Sequence, residues 1–137
     1  MNTYENYKYL ANAIVMQAVV DYEDALAILS TEFIGKTKKI NNKILLSKQM
    51  KYDCESFFTG EYIQSLTDIS GRAIMDHIKK GVLNADRSVY NEKRKCYVCK
   101  CDKKLNPGFG RGFRMPVIRC NVCGKYWRMY GKVKPIE

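Results

Sequence analysis

Five of the six cysteines of this 137-residue chain crowd into 28 positions, at Cys96, Cys99, Cys101, Cys120 and Cys123, while Cys54 stands alone. Cys96-x2-Cys99, 20 residues and Cys120-x2-Cys123 is the spacing of two tight knuckles, each aiming two thiolates at one ion. Zinc suits four such ligands, because it prefers a tetrahedral thiolate set and needs no redox change. Iron held as in rubredoxin is the alternative metal, and disulfides are the alternative without one. A four-thiolate site is closed, with no position left for water or substrate, so its role is structural. Cys101 is a fifth sulfur within reach that could replace Cys99; the match between the two Cys-x2-Cys pairs favours Cys96, Cys99, Cys120 and Cys123 as the ligands.

Charge falls in the same place. Residues 1–90 hold 11 basic and 11 acidic residues, whereas 91–137 hold 13 basic and 3 acidic, so the whole net charge of +10 belongs to the cysteine-bearing third. Four thiolates and a divalent ion leave that third at about +8, still strongly basic. The longest apolar run, 9–20, is too short for the roughly 20 residues that span a bilayer. The first residues lack the basic start and apolar stretch of a secretory signal, so a reducing, cytoplasmic setting is expected.

Before the cysteines the chain reads as helix. Tyr7, Ala11, Ile14, Ala18, Tyr22, Ala25 and Leu29 recur at spacings of three or four, with Asn2 or Thr3 as cap. Residues 30–42 read as a connection. Leu46, Met50, Cys54, Phe57 and Phe58 suit a second helix ending near Gly60 and continued by Tyr62, Ile63 and Leu66. Thr67, Asp68 or Ser70 can cap a short helix over 71–80, with Ile74 and Ile78 inward and Gly81 as its stop. The expected architecture is therefore mainly α: a helical domain over 1–81, a polar linker over 82–93, and a basic four-cysteine zinc ribbon of short β-hairpins over 94–137, with room for one short helix.

The run Cys120-Asn121-Val122-Cys123-Gly124-Lys125-Tyr126, followed by Gly131 and Pro135, resembles the second half of a GATA-type zinc finger. That resemblance, over 96–137, implies a helix after the second knuckle that enters a DNA groove and a basic tail along the backbone. It places Asn121, Lys125, Tyr126, Arg128 and Met129 on the helix and Lys132 and Lys134 in the tail. A generic zinc ribbon with a Cys-Gly-Lys-x-Trp turn is the other reading of the same residues. The stretch Asp53 to Phe58 and Leu66 to Ser70 resembles small uncharacterised proteins of phages and prophages of Gram-positive bacteria, which implies a viral source.

Basic groups interleaved with Tyr97, Phe109, Phe113, Tyr126, Trp127 and Tyr130 are what phosphate contact and base stacking require. The candidate contacts to nucleic acid or another partner are Lys93, Arg94, Lys95, Arg111, Arg114, Arg119, Asn121, Lys125, Tyr126, Arg128, Lys132 and Lys134. A miniature aromatic core is the competing use of Tyr126 and Trp127. A phosphate loop, a nucleophile elbow and a deaminase signature are all missing from the sequence, so no enzymatic activity is expected. The leading expectation is a zinc-dependent nucleic-acid-binding protein, DNA or RNA. The alternative is a phage accessory protein that blocks a host defence protein or ribonucleoprotein, in the manner of an anti-CRISPR. Homodimerisation through the helical domain would favour a regulator on paired half-sites.

Overall fold

The computed structural model describes residues 3–106, 109–110 and 113–136. Four helices come first: α1 (Thr3–Leu29), α2 (Lys38–Thr59), α3 (Tyr62–Leu66) and α4 (Gly71–Leu83). The Thr37 hydroxyl accepts from the Ile40 N–H and starts α2 five residues earlier than the hydrophobic period suggests. Ser70 caps α4 by accepting from the Ala73 N–H. Two-residue strand β1 (Thr31–Glu32) lies between α1 and α2.

Tyr22 and Leu26 of α1, Cys54 and Phe58 of α2, Ile63 of α3, and Met75, Ile78 and Val82 of α4 form the principal core. The Tyr22 and Phe58 rings meet edge to face at 5.6 Å. Burying each such side chain contributes about 1.5–3 kcal/mol, and together they fix the helices against one another. The neighbours of α1 bury it only from Val15 onward, so Tyr7 stays exposed, as do Leu46 and Met50 of α2, which the period places inward.

Gly81 does not stop α4. The helix runs on to Leu83, and a Cβ at Gly81 would stand 2.4 Å from the Tyr126 ring, so glycine here serves close packing rather than termination.

Residues 82–93, expected as a linker, complete α4 and then form β2 (Asp86–Arg87) and β3 (Tyr90–Asn91). β3 begins an antiparallel sheet with β4 (Cys96–Val98) and β5 (Lys104–Leu105), in the order β3-β4-β5. β6 (Phe109–Gly110) and β7 (Phe113–Arg114) make a hairpin. β8 (Val117–Arg119) and β9 (Tyr126–Arg128) are antiparallel, and β2 joins the far side of β9 in parallel. Pro116 thus precedes an edge strand, where a missing N–H costs nothing. The final strand, β10 (Lys132–Val133), pairs with β1, setting Thr31 opposite Val133.

Val117 and Tyr126 of the ribbon belong to the same core as the helices. A second, smaller core of Cys99, Leu105, Cys120, Trp127 and Met129 lies within the ribbon. No helix of the described residues is long and apolar enough to cross a membrane.

Candidate metal centre and basic surface

The turn after β4 and the turn after β8 are built alike. In the second, the Cys120 N–H donates to the Lys125 carbonyl and the Gly124 N–H to the Cys120 carbonyl, with Gly124 in the left-handed region at φ 79°. In the first, the Cys99 N–H donates to the Lys103 carbonyl and the Asp102 N–H to the Cys99 carbonyl, with Asp102 left-handed at φ 73°. The first turn is one residue shorter. Cys99 is therefore the counterpart of Cys120, and Cys101, not Cys96, is the counterpart of Cys123.

The sulfurs of Cys99, Cys101, Cys120 and Cys123 all lie within 4.8 Å of one another, so these four could hold one metal ion. Cys99 and Cys123 approach to 3.4 Å and Cys101 and Cys120 to 3.6 Å. A tetrahedral site with metal–sulfur bonds of about 2.3 Å has sulfurs roughly 3.8 Å apart, a spacing that the observed separations bracket. Cys96, expected as a ligand, is outside the cluster. It opens β4 opposite Asn91, three residues of extended chain before Cys99, or about 10 Å along the strand. Its thiol is buried instead.

Four thiols this close cannot ionise independently. Burial acts to raise the Cys99 thiol, but the Cys101 N–H, the Cys123 thiol and the Trp127 indole outweigh it and bring Cys99 down to about 6. At Cys101 the Lys103 N–H acts to lower the thiol, while burial and the sulfurs of Cys120, Cys99 and Cys123 push it up to about 12. A central cation removes this conflict, because a coordinating thiol loses its proton outright. The Trp127 Nε1–H donates to Cys99 Sγ at 3.3 Å, the kind of outer contact that orients a ligand.

Several sequence-predicted contacts turn inward. The chain after Cys123 forms strand β9 rather than the helix implied by the GATA-type resemblance, so Tyr126 and Arg128 share the face turned to the helices and Trp127 takes the other, and both faces are covered. Tyr126 donates its hydroxyl to Glu23 Oε2, and Arg119 Nε donates to the same oxygen at 2.6 Å. Burial and that bond hold the Tyr126 phenol well above its usual range. Arg128 is only 3% exposed and donates to Thr31 Oγ1 at 2.9 Å and Ser30 Oγ at 3.1 Å. Burial lowers its affinity for the proton, and its Nε finds no acceptor among the described residues. Lys125 is tied to Asp86 at 2.7 Å and lies 5.0 Å over the Trp127 ring. Arg119, Tyr126 and Arg128 thus dock the ribbon on α1 and β1, and are not free to meet a ligand.

Others stay outward. Lys93, Arg94 and Lys95 form the exposed turn between β3 and β4, where Arg94 pairs with Asp102 at 2.8 Å. Arg114 is exposed with its guanidinium 5.8 Å above the Tyr97 ring. Asn121 and Lys132 are exposed, and Lys134 half-buried. Arg111 lies outside the described residues. Lys103, Lys104 and Asn121 border a hollow of about 300 Å³ that also touches Cys120. The signal that identifies Cys101 is the Asp102-Lys103 pair behind it, because aspartate enters the left-handed region more readily than most residues.

The fold and site together define a helical protein with an inbuilt four-cysteine ribbon able to hold a metal. No protein-family model matches the chain, and no curated protein or solved structure is similar to it.

Proposed function

We propose that Cys99, Cys101, Cys120 and Cys123 hold one structural Zn²⁺, and that the ordered ribbon is a non-enzymatic nucleic-acid-binding module. Four soft thiolates in a closed tetrahedral set favour zinc over harder divalent ions. One observation carries the binding reading: after the inward residues are subtracted, exposed lysines remain on the ribbon, Lys93, Lys95, Lys103 and Lys104 among them, that make no ion pair among the described residues. Uncompensated lysines on one small module favour a polyanion, whose condensed counterions they release. Specificity for a base sequence is not part of the reading, since lysines act as point charges on phosphate and carry no base-edge code.

Fluorescence anisotropy of the zinc-loaded chain with labelled single- and double-stranded oligonucleotides tests this. Binding at 50 mM salt that weakens at least tenfold by 200 mM supports it. No binding at 50 mM salt with tens of micromolar protein refutes it.

A second reading is supported by Tyr7, Tyr9 and Leu10 of α1 and Leu45 and Leu46 of α2, which are all more than half exposed. Such faces suit a protein or ribonucleoprotein partner, as a phage-encoded counter-defence protein requires. Capture of one host protein that survives nuclease treatment favours this reading over direct binding.

A further inference from the structure

We infer that a second basic locus, a groove shared by α2 and the C-terminal segment, receives a phosphodiester of a single nucleic-acid strand with a base against Tyr52. This rests on the nucleic-acid reading above and adds a site outside the cysteine ribbon. The groove has a volume of about 680 Å³, within the range of small-ligand sites. Lys36 ahead of α2, Lys48 and Lys51 on α2, and Lys134 after β10 border it. Residues nearly a hundred positions apart converge there, because β10 pairs with β1 and brings the chain end back to the junction of α1 and α2.

One carboxylate, Glu55, borders the same groove, and it is already occupied. Its oxygens receive the Tyr22 hydroxyl at 2.6 Å, Lys51 at 3.1 Å and Lys79 at 3.4 Å. Lys36, Lys48 and Lys134 make no ion pair among the described residues, so three positive charges border the hollow while its carboxylate, Glu55, is paired with Lys51 and Lys79 instead. Lysine is a point charge on a flexible stem, which suits a phosphate that presents oxygens in several directions. Leu29, Ile44, Pro135 and Ile136 supply an apolar wall, and Tyr52 is 69% exposed beside it. An exposed aromatic ring next to clustered lysines is the pairing that single strands use, one group for the base and the others for the backbone.

The test compares four zinc-loaded proteins by anisotropy with a labelled oligo(dT) and oligo(U) across salt concentrations: the wild-type chain, a groove variant (Lys36→Ala, Lys48→Ala and Lys134→Ala together), Tyr52→Ala, and a ribbon variant (Lys93→Ala, Lys95→Ala, Lys103→Ala and Lys104→Ala). Zinc content and thermal melts confirm that each variant is folded. Three lost phosphate contacts should lower the salt slope by about 2, and affinity at 0.1 M salt by about 100-fold. Tyr52→Ala should weaken binding at least fivefold with the slope unchanged. A groove variant that binds like wild type, while the ribbon variant is weakened, overturns this inference and leaves the ribbon reading standing. A wild-type chain that binds neither oligonucleotide overturns both. Displacement of the oligonucleotide by millimolar AMP, with no effect of inorganic phosphate, would support a site that reads base and phosphate together.

Discussion

Exchanging serine for Cys96 and, separately, for Cys101 distinguishes the turn geometry from the simple spacing of the cysteines. The Cys101 sulfur is 3.6 Å from that of Cys120 and belongs to the cluster, whereas Cys96 begins β4 about 10 Å up the strand. Zinc binding by small four-ligand modules is worth about 10–16 kcal/mol, or roughly 3 kcal/mol for each of four ligands. Cys101→Ser should therefore weaken zinc at least 100-fold, 1.4 kcal/mol being a factor of ten. Cys96→Ser buries a hydroxyl in place of a thiol. It should cost about 1–2 kcal/mol of stability and leave zinc affinity within threefold. Competition with a chromophoric chelator gives both affinities, and Co²⁺ substitution reports whether three or four thiolates surround the ion. Loss of metal from Cys96→Ser with full retention in Cys101→Ser would refute the assignment of the first knuckle to Cys99 and Cys101.

Glu23→Gln should destabilise the protein by about 1–3 kcal/mol, since the carboxylate accepts from both Arg119 and Tyr126 at a largely buried site. Urea midpoints followed by helix circular dichroism and by fluorescence of Trp127 should fall together; a shift in one signal alone would show that ribbon and helices do not share a core. Burial, with bonds to Glu55 and Glu23, holds the phenols of Tyr22 and Tyr126 above their ordinary value of 10.0. A raised folded value means that their contribution is complete below about pH 10 and is lost as pH rises further, by up to about 1.4 kcal/mol per pH unit for each group. Denaturant midpoints measured between pH 9 and 11 should fall, and fall less steeply in Tyr22→Phe; equal slopes in the two proteins would remove Tyr22 from the account.

The helices were legible because their signals are local. Ser70 caps α4 from within the chain it caps, and the three-and-four spacing of Ala18, Tyr22 and Ala25 reports a face that is in fact covered. What escaped depends on contacts distant in sequence. Gly81 reads as a stop until Tyr126 is seen against it. Asp86 and Arg87 carry no strand signal, and become a strand only by pairing with Trp127 and Arg128. The two knuckles were visible, but Cys-x2-Cys at 96–99 competes with Cys-x-Cys at 99–101, and only the hydrogen bonds of the turn decide between them. Charge was the least reliable guide. Arg119 and Arg128 count toward a basic surface in the sequence, yet one is spent on Glu23 and the other is buried under Ser30 and Thr31.

Tyr126 has a consequence for how the chain comes together during synthesis. Its ring fills the notch at Gly81 and its hydroxyl meets Glu23, so the helices lack a piece of their own interior until residue 126 has emerged. Closure of β1 onto β10 waits longer still, for a partner 102 positions away in the register of Thr31 and Val133. Until then α1 and α4 present an apolar flank to chaperones and proteases. Cys120 and Cys123 arrive just before Tyr126, and so, on the proposed zinc reading, capture of the ion by the last two thiols would coincide with completion of the helical core. Scarcity of that ion would be felt first as slow maturation and turnover of the entire polypeptide, well before any ligand is encountered.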